Sequence, residues 1–309
     1  MSVAPPLPHD PLWPRAGGWG DVNGEPVDVI LVGVPTEKTS LSPTHAAGTP
    51  HAIREALRRY STSYLRQEGK LLDLESLSVR DAGDLADPDT EPGREAAIGR
   101  LAELHTQLVP DGLLIALGGD NAATFPVARA LAVAEPALTG VITLDAHLDL
   151  RDGRSNGSPI RELLEAGIAG ANVVQIGIAD FANSRAYYER ALSAGITVIA
   201  RSEVESETLE TIARDALDRA GAAGGRIHLD VDVDVCDRSV APGTPASVPG
   251  GLSAWELRRL VRMLCADPRV ASIDITEVDH LADSADQRTV RLAALVVLEA
   301  LAGVALRRR

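Results

Sequence analysis

LLIALGGDNAATFPV (113–127) contains the turn on which the fold depends. The apolar run 113–118 has the length of a buried strand, then breaks at Gly118-Gly119-Asp120 and presents Asn121. Glycine lets the backbone turn sharply, so the residues after it leave the strand's carboxyl end, where open α/β sheets hold their ligands. Similar β-branched runs recur at 27–33, 140–145, 172–177, 196–200, 226–232 and 271–276. Helix-like stretches lie between most of them, at 51–60, 93–108, 128–134, 162–167, 184–195, 207–221 and 254–264, and an apolar helix is expected over 290–306. Strands alternating with helices pair in parallel through crossovers, and a parallel sheet needs helices on both faces. The expected fold is a three-layer α/β/α sandwich around a mainly parallel central sheet. No linker-like composition divides the 309 residues, so 1–309 read as a single domain with a Pro-rich N-terminal arm over 1–25.

Hydrophobic residues make up 45% of the chain and aromatics only 3%, so aliphatic side chains must fill the core. Lys and Arg total 30 against 44 Asp and Glu, a formal charge of −14 that repels polyphosphate and argues against a nucleic-acid partner. Cys236 and Cys265 are too few for a disulfide framework, and the first residues lack the pattern of a signal peptide, which fits a reducing cytoplasm. Arg291 and Glu299 interrupt the apolar stretch 290–306, which reads as a core helix and implies no membrane.

The loops after two strands are crowded with acids. In Asp145-Ala146-His147-Leu148-Asp149, residues two apart in an extended chain face the same way, so two carboxylates and an imidazole can converge. Asp232-Val233-Asp234 repeats the device. Hard carboxylate oxygens mixed with one imidazole nitrogen suit Mn²⁺ or a similar octahedral ion and disfavour a structural zinc site. Carboxylates brought together without a cation would repel one another severely. Shared carboxylates can also hold two ions close together with a water polarised between them. Asp152 and Asp237, standing apart, read as cap or loop residues.

GGDN (118–121), DAHLD (145–149), DVDVCDRSVAPGT (232–244), PGGLS (249–253) and TEVD (276–279) resemble, in the same order, the signatures of the ureohydrolase family of arginases, agmatinases and formimidoylglutamases. GVPTEKTSLSPTHAAGTPHAIREAL (33–57) is similar to that family's first strand, glycine-rich loop and helix. The resemblance implies an arginase-like fold, a homo-oligomer, two Mn²⁺ ions per subunit, and hydrolysis of a C–N bond in a linear amidine; Asn121 would leave one of the ions weakly held. It makes Asp145 and Asp232 ligands shared by both ions, His147 and Asp234 ligands of one, and Asp149 a ligand of the other. It places Glu277 against the substrate's cationic nitrogens, where a carboxylate accepts charge-assisted hydrogen bonds. Glu277 and Asp149 are the candidate catalytic residues.

Two positions depart from the family pattern. Asn121 stands where most members have a metal-ligating His, and Asn156 where many have another His. Asn121 either faces the ion of Asp149 as a weaker oxygen donor or caps a helix starting near Ala122. DLRDGRSNGSP (149–159) and VVQIGIADFANS (173–184) look most like the formimidoylglutamase branch. Arg151, Arg154 and Arg161 give an otherwise acidic protein a positive rim beside the metal site. N-formimino-L-glutamate carries two carboxylates to meet such a rim, whereas agmatine carries none. Arg151, Asn156, Ser158 and Arg161 are therefore the candidate substrate-binding residues. The expected reaction is N-formimino-L-glutamate plus water to L-glutamate and formamide, a step of histidine metabolism. The alternatives are release of urea from agmatine or a guanidino acid, and a non-catalytic binding relative that has lost two histidines.

Overall fold

The structure is a computed structural model that describes residues 10–65 and 71–307, so the first nine residues of the expected arm lie outside the described part. Its strands are β1 Val27–Val34, β2 Ser63–Leu65, β3 Leu71–Asp73, β4 Val79–Asp84, β5 Leu108–Gly118, β6 Gly140–Leu144, β7 Val173–Ile178, β8 Thr197–Ala200, β9 Ile227–Asp232 and β10 Val270–Thr276. The helices are α1 Thr49–Leu57, α2 Glu91–His105, α3 Thr124–Leu131, α4 Pro159–Glu165, α5 Arg185–Ala194, α6 Arg201–Ser206, α7 Leu209–Ala220, α8 Ala254–Cys265 and α9 Arg288–Arg307. Eight strands form one sheet in the order β4-β1-β5-β10-β9-β6-β7-β8, and every pairing in it is parallel.

Alternation along each strand divides its side chains between two cores. Leu113, Ile115 and Leu117 of β5 pack with α1, α7, α8 and α9, while Leu114 and Ala116 pack with α2, α3, α4 and α5. The result is the expected three-layer sandwich. By length and composition α9 could cross a membrane, but 78% of its most apolar window is buried inside the protein, as a core helix requires. Its acid Glu299 is buried too, and Arg258 and Arg262 bond its two oxygens at 2.9 and 2.6 Å. Such pairing removes the penalty of an isolated buried charge.

The chain leaves β5 for β6 and fills the gap between them later with β9 and β10. The carboxyl ends of four adjacent strands, Gly118, Thr276, Asp232 and Leu144, therefore meet where the strand order jumps, the usual place for a ligand in such sheets. Residues 10–25 run beside the β4 edge, through bridges from Arg15 to Ser61 and from Asp21 to Asp81. The sequence pattern did not report the short strands β2 and β3, the edge strand β4, the start of β5 or α6. β4 reads VRDAGD because it is a half-exposed edge strand whose Asp81 and Asp84 bond Arg54. β5 starts at Leu108, across Pro110-Asp111-Gly112, and α6 has only six residues.

Candidate metal centre and substrate pocket

The turn after β5 is shaped by close packing. A Cβ on Gly119 would sit 1.9 Å from the Thr36 carbonyl oxygen, and one on Gly118 would sit 2.7 Å from Thr276 Cγ2. Neither glycine has a positive φ, so their role is to admit neighbouring backbone. The cap of the following helical turn is Asp120, whose carboxylate accepts from Ala122 N at 3.2 Å; Asn121 is free of that task.

Asn121 is a junction instead. Its Oδ1 accepts hydrogen bonds from the hydroxyls of Thr124 and Thr276 at 2.6 and 2.8 Å, and its Nδ2 donates to Asp149 at 2.5 Å. The two hydroxyls could serve either end of the amide, whereas an ionised carboxylate only accepts, so Asp149 is what draws the Nδ2 end toward itself. The structure thus brings Asn121 to Asp149, as a donor to the carboxylate.

Asp145, His147 and Asp234 form the tightest cluster, with one ligand atom from each lying within 4.8 Å of the others. His147 Nδ1 lies 3.1 Å from Asp234 and 3.5 Å from Asp145. Asp145 Oδ1 accepts from His147 N at 2.6 Å and Asp232 Oδ1 from Asp234 N at 2.8 Å, so each acid caps the turn that carries its neighbour. Asp145 Oδ2 and Asp234 Oδ1 are buried and have no hydrogen-bond partner among the described residues. Orphaned buried carboxylate oxygens beside an imidazole fit a divalent cation with mixed oxygen and nitrogen ligands, and Mn²⁺ is such an ion. Asp149 and Asp232 line the pocket that opens onto this cluster.

Glu277 follows β10 and is buried. Its Oε1 accepts from Asn121 N and from Asn156 Nδ2, both at 2.8 Å. Asn156 Oδ1 in turn accepts from Leu41 N at 3.0 Å, so this amide ties the 37–48 loop to Glu277. Asp149 and Glu277 both have left-handed backbones, with φ of 51° and 61°. Such strain costs about 1–3 kcal/mol per residue and persists where surrounding structure enforces it.

Electrostatics mark the same place. Burial first, then neighbouring carboxylates, raise Asp149 and Asp232 well above the normal range. Burial pushes Asp145 up to about 6 against the opposing pull of His147, while burial and Asp120 push Glu277 up to about 8. Burial alone would lower His147, but Asp234 and Asp145 overcome it and push it up to about 12. Each of these groups binds more protons folded than unfolded between its two pKa values, so each lowers stability as pH rises through that interval. Buried His105, lowered to about 4, acts in the opposite sense only below 6.5. Protein stripped of divalent ions should therefore lose unfolding free energy from pH 6.5 to 8.5, by about 1.4 kcal/mol per pH unit for each extra proton held, and its melting temperature should fall with it. A flat or rising calorimetric profile over that interval would contradict the crowding of acids described here.

The pocket has a volume of about 220 Å³, below the ~300 Å³ at which pockets begin to take drug-sized ligands, so it suits a small metabolite. Of the three loop arginines, Arg151 alone lines it. Arg161 is folded back onto the carbonyls of Arg151 and Gly153 at 2.7 and 2.6 Å and onto Glu165. Arg154 bonds Glu91 and the Asp89 carbonyl. Ser158 is wholly buried and bonds Ser155 and Glu162, so it shapes the loop and does not line the pocket. Sequence reasoning missed Asn183 and Ser184, in the loop after β7, and Tyr187 of α5, which also line the pocket. The only hint was the FANS segment, which carries no charge or metal-type donor.

Acids and one imidazole converging at the carboxyl ends of adjacent parallel strands define an α/β protein with a carboxylate-rich cluster that could hold a metal ion. The family description "Arginase family" matches residues 27–303. The chain belongs to the arginase family. It is 38% identical to a formimidoylglutamase of Halalkalibacterium halodurans over 282 residues, 88% of this chain and 86% of that protein. The crystal structure of formimidoylglutamase from Bacillus subtilis superposes with a TM-score of 0.89 at 32% identity, covering 99% of this chain and 96% of that one. Trypanosoma cruzi formiminoglutamase with Mn²⁺ superposes with a TM-score of 0.82 at 25% identity, covering 91% and 94%.

Proposed function

We propose that the protein hydrolyses N-formimino-L-glutamate to L-glutamate and formamide. The observation that carries this reading is the pairing, in the lining of one small pocket, of a buried carboxylate, Glu277, with an exposed guanidinium, Arg151. A substrate with a cationic formimino head and a dicarboxylate tail matches both, whereas agmatine has no carboxylate to meet Arg151. Relatives named formimidoylglutamase support the same reading. Asp145, His147 and Asp234 would hold one manganese ion, and Asp149 with the shared Asp145 and Asp232 a second. Bound manganese supplies the polarisation that turns water into a nucleophile near neutral pH. Glu277 Oε1 is held by two N–H donors, so its Oε2 is left to receive the substrate's N–H groups and fix the formimino carbon. We also infer a single domain over 1–309, a homo-oligomer and a cytoplasmic setting; both cysteines are free and buried. Incubating the Mn²⁺-loaded protein with N-formimino-L-glutamate, agmatine and guanidino acids should release formamide from the first and no urea from the others. Urea from agmatine would replace this reading, and no turnover with any substrate would favour a binding relative.

The arginine loop gives a split result. Arg151→Ala should raise KM and lower kcat/KM by about 10–100-fold, the worth of a charge-assisted hydrogen bond of ~1.5–3 kcal/mol. Arg161→Ala removes a support for the carbonyls of Arg151 and Gly153, so it should lower the melting temperature more than it alters KM. Unchanged kinetics in Arg151→Ala would take that residue out of the site.

The two ions should also differ. Asn121 gives Asp149 a hydrogen bond where a ring nitrogen would serve an ion directly, so Mn²⁺ titration should show two unequal affinities. Asn121→His should narrow the difference; two equally tight sites in the parent protein would refute this view of Asn121.

A further inference from the structure

The ligand-bearing loop 145–149 has no strand partner of its own, and β7 with the loop after it supplies one. Asp145 N donates to the Ile176 carbonyl at 3.0 Å, and Gln175 Nε2 donates to the Leu148 carbonyl at 3.0 Å. The Ala146 carbonyl accepts from Ala179 N and from Asn183 Nδ2, each at 3.0 Å. Leu148 N donates to Asn183 Oδ1 at 2.9 Å. One carboxamide therefore holds the peptide groups on both sides of His147. Its orientation is settled by chemistry, because a backbone carbonyl can only accept and a backbone N–H can only donate.

The loop that delivers Asn183 bears a cost. Phe181 is fully exposed and has a φ of 62°, a left-handed backbone that a bulky residue rarely adopts. Strain of this kind survives where the flanking contacts over-determine it. Here the flanking contacts are those of Ala179 and Asn183 to the ligand loop, so the strained segment and the ligand loop hold each other in place.

We propose that Asn183 is a positioning residue for the metal centre: its carboxamide fixes the two peptides flanking His147 and so sets the reach of the imidazole toward the ion shared with Asp145 and Asp234. This rests on the metal reading given above. Asn183 also lines the substrate pocket next to Ser184, the cap of α5, so the wall that meets the substrate and the clamp on the ligand loop are one segment.

The test is Mn²⁺ binding by calorimetry to the full chain. Asn183→Asp keeps the acceptor for Leu148 N and sets an oxygen against the Ala146 carbonyl. Asn183→Ala removes both contacts without adding repulsion, and covers the case in which the first variant does not fold. Contacts behind a metal ligand are typically worth 10–100-fold in affinity. Both variants should weaken one ion by about that factor and the other ion less. Asn172→Asp is the control for mere loop tying. Asn172 Nδ2 donates to the Ala137 carbonyl at 3.0 Å at the opposite end of β7, and that variant should keep the parent affinity. Folded Asn183 variants that bind both ions like the parent, or an equal loss in Asn172→Asp, would overturn the proposal. A parent protein that takes up no Mn²⁺ would instead remove the metal reading beneath it.

Discussion

Asp232→Ala should abolish turnover and strip most of the metal. Asp232 ends β9, where burial first and then neighbouring carboxylates raise its carboxyl well above the usual range, a placement tolerable at neutral pH only with protons or cations nearby. Its Oδ1 also caps the turn that presents Asp234, so the alanine loses a ligand and loosens the ligand beside it. The loss should exceed the ~10–100-fold that contacts behind a ligand are worth. Asp232→Asn separates the two contributions, because the amide oxygen can still accept from Asp234 N while the charge is gone. If charge is the cause, the asparagine variant should be nearly as poor in metal as the alanine variant, as measured by metal analysis of dialysed protein. Full metal content with substantial turnover in Asp232→Ala would show that the carboxylates had been misassigned.

The strands that build this site were legible because each is buried on both faces and reads as a continuous β-branched run. The acid-rich loops were legible because charge at the end of such a run is costly and needs a reason. Edge strand β4 was not, since one side meets solvent and its pattern is that of a loop. The Asn121 contacts depend on hydroxyls of Thr124 and Thr276, the second of them 155 residues away in sequence, and no local pattern reports them. The arginine loop shows the same limit. Arg151, Arg154 and Arg161 look equivalent as a charge cluster, but the fold turns two of them onto backbone carbonyls and acids and leaves one at the pocket. Asn183 was hidden for the opposite reason, since a neutral amide carries no signal until the peptides that it bridges are in view.

Glu277→Gln should lower kcat/KM by about two to four orders of magnitude while leaving the metal in place. Glu277 Oε1 accepts from Asn121 N and Asn156 Nδ2, and an amide oxygen can take over both bonds, which forces the new NH₂ group to the position of Oε2. A donor then faces the donor N–H groups of a cationic formimino head. Losing one charge-assisted hydrogen bond costs ~1.5–3 kcal/mol, and leaving a buried donor unpaired costs ~1–3 kcal/mol more. At 1.36 kcal/mol per factor of ten, the sum corresponds to the loss stated. Because Glu277 is not among the carboxylates proposed to hold the ions, the variant should bind Mn²⁺ like the parent, the opposite of Asp232→Ala. Asn156→Ala should reproduce a small part of the defect, since it frees Glu277 Oε1 on one side and releases the tie to Leu41 N. A Glu277→Gln protein with kcat/KM within threefold of the parent would mean that this buried carboxylate does not receive the substrate, which would then have to meet one of the pocket's other acids, Asp149, Asp232 or Asp234.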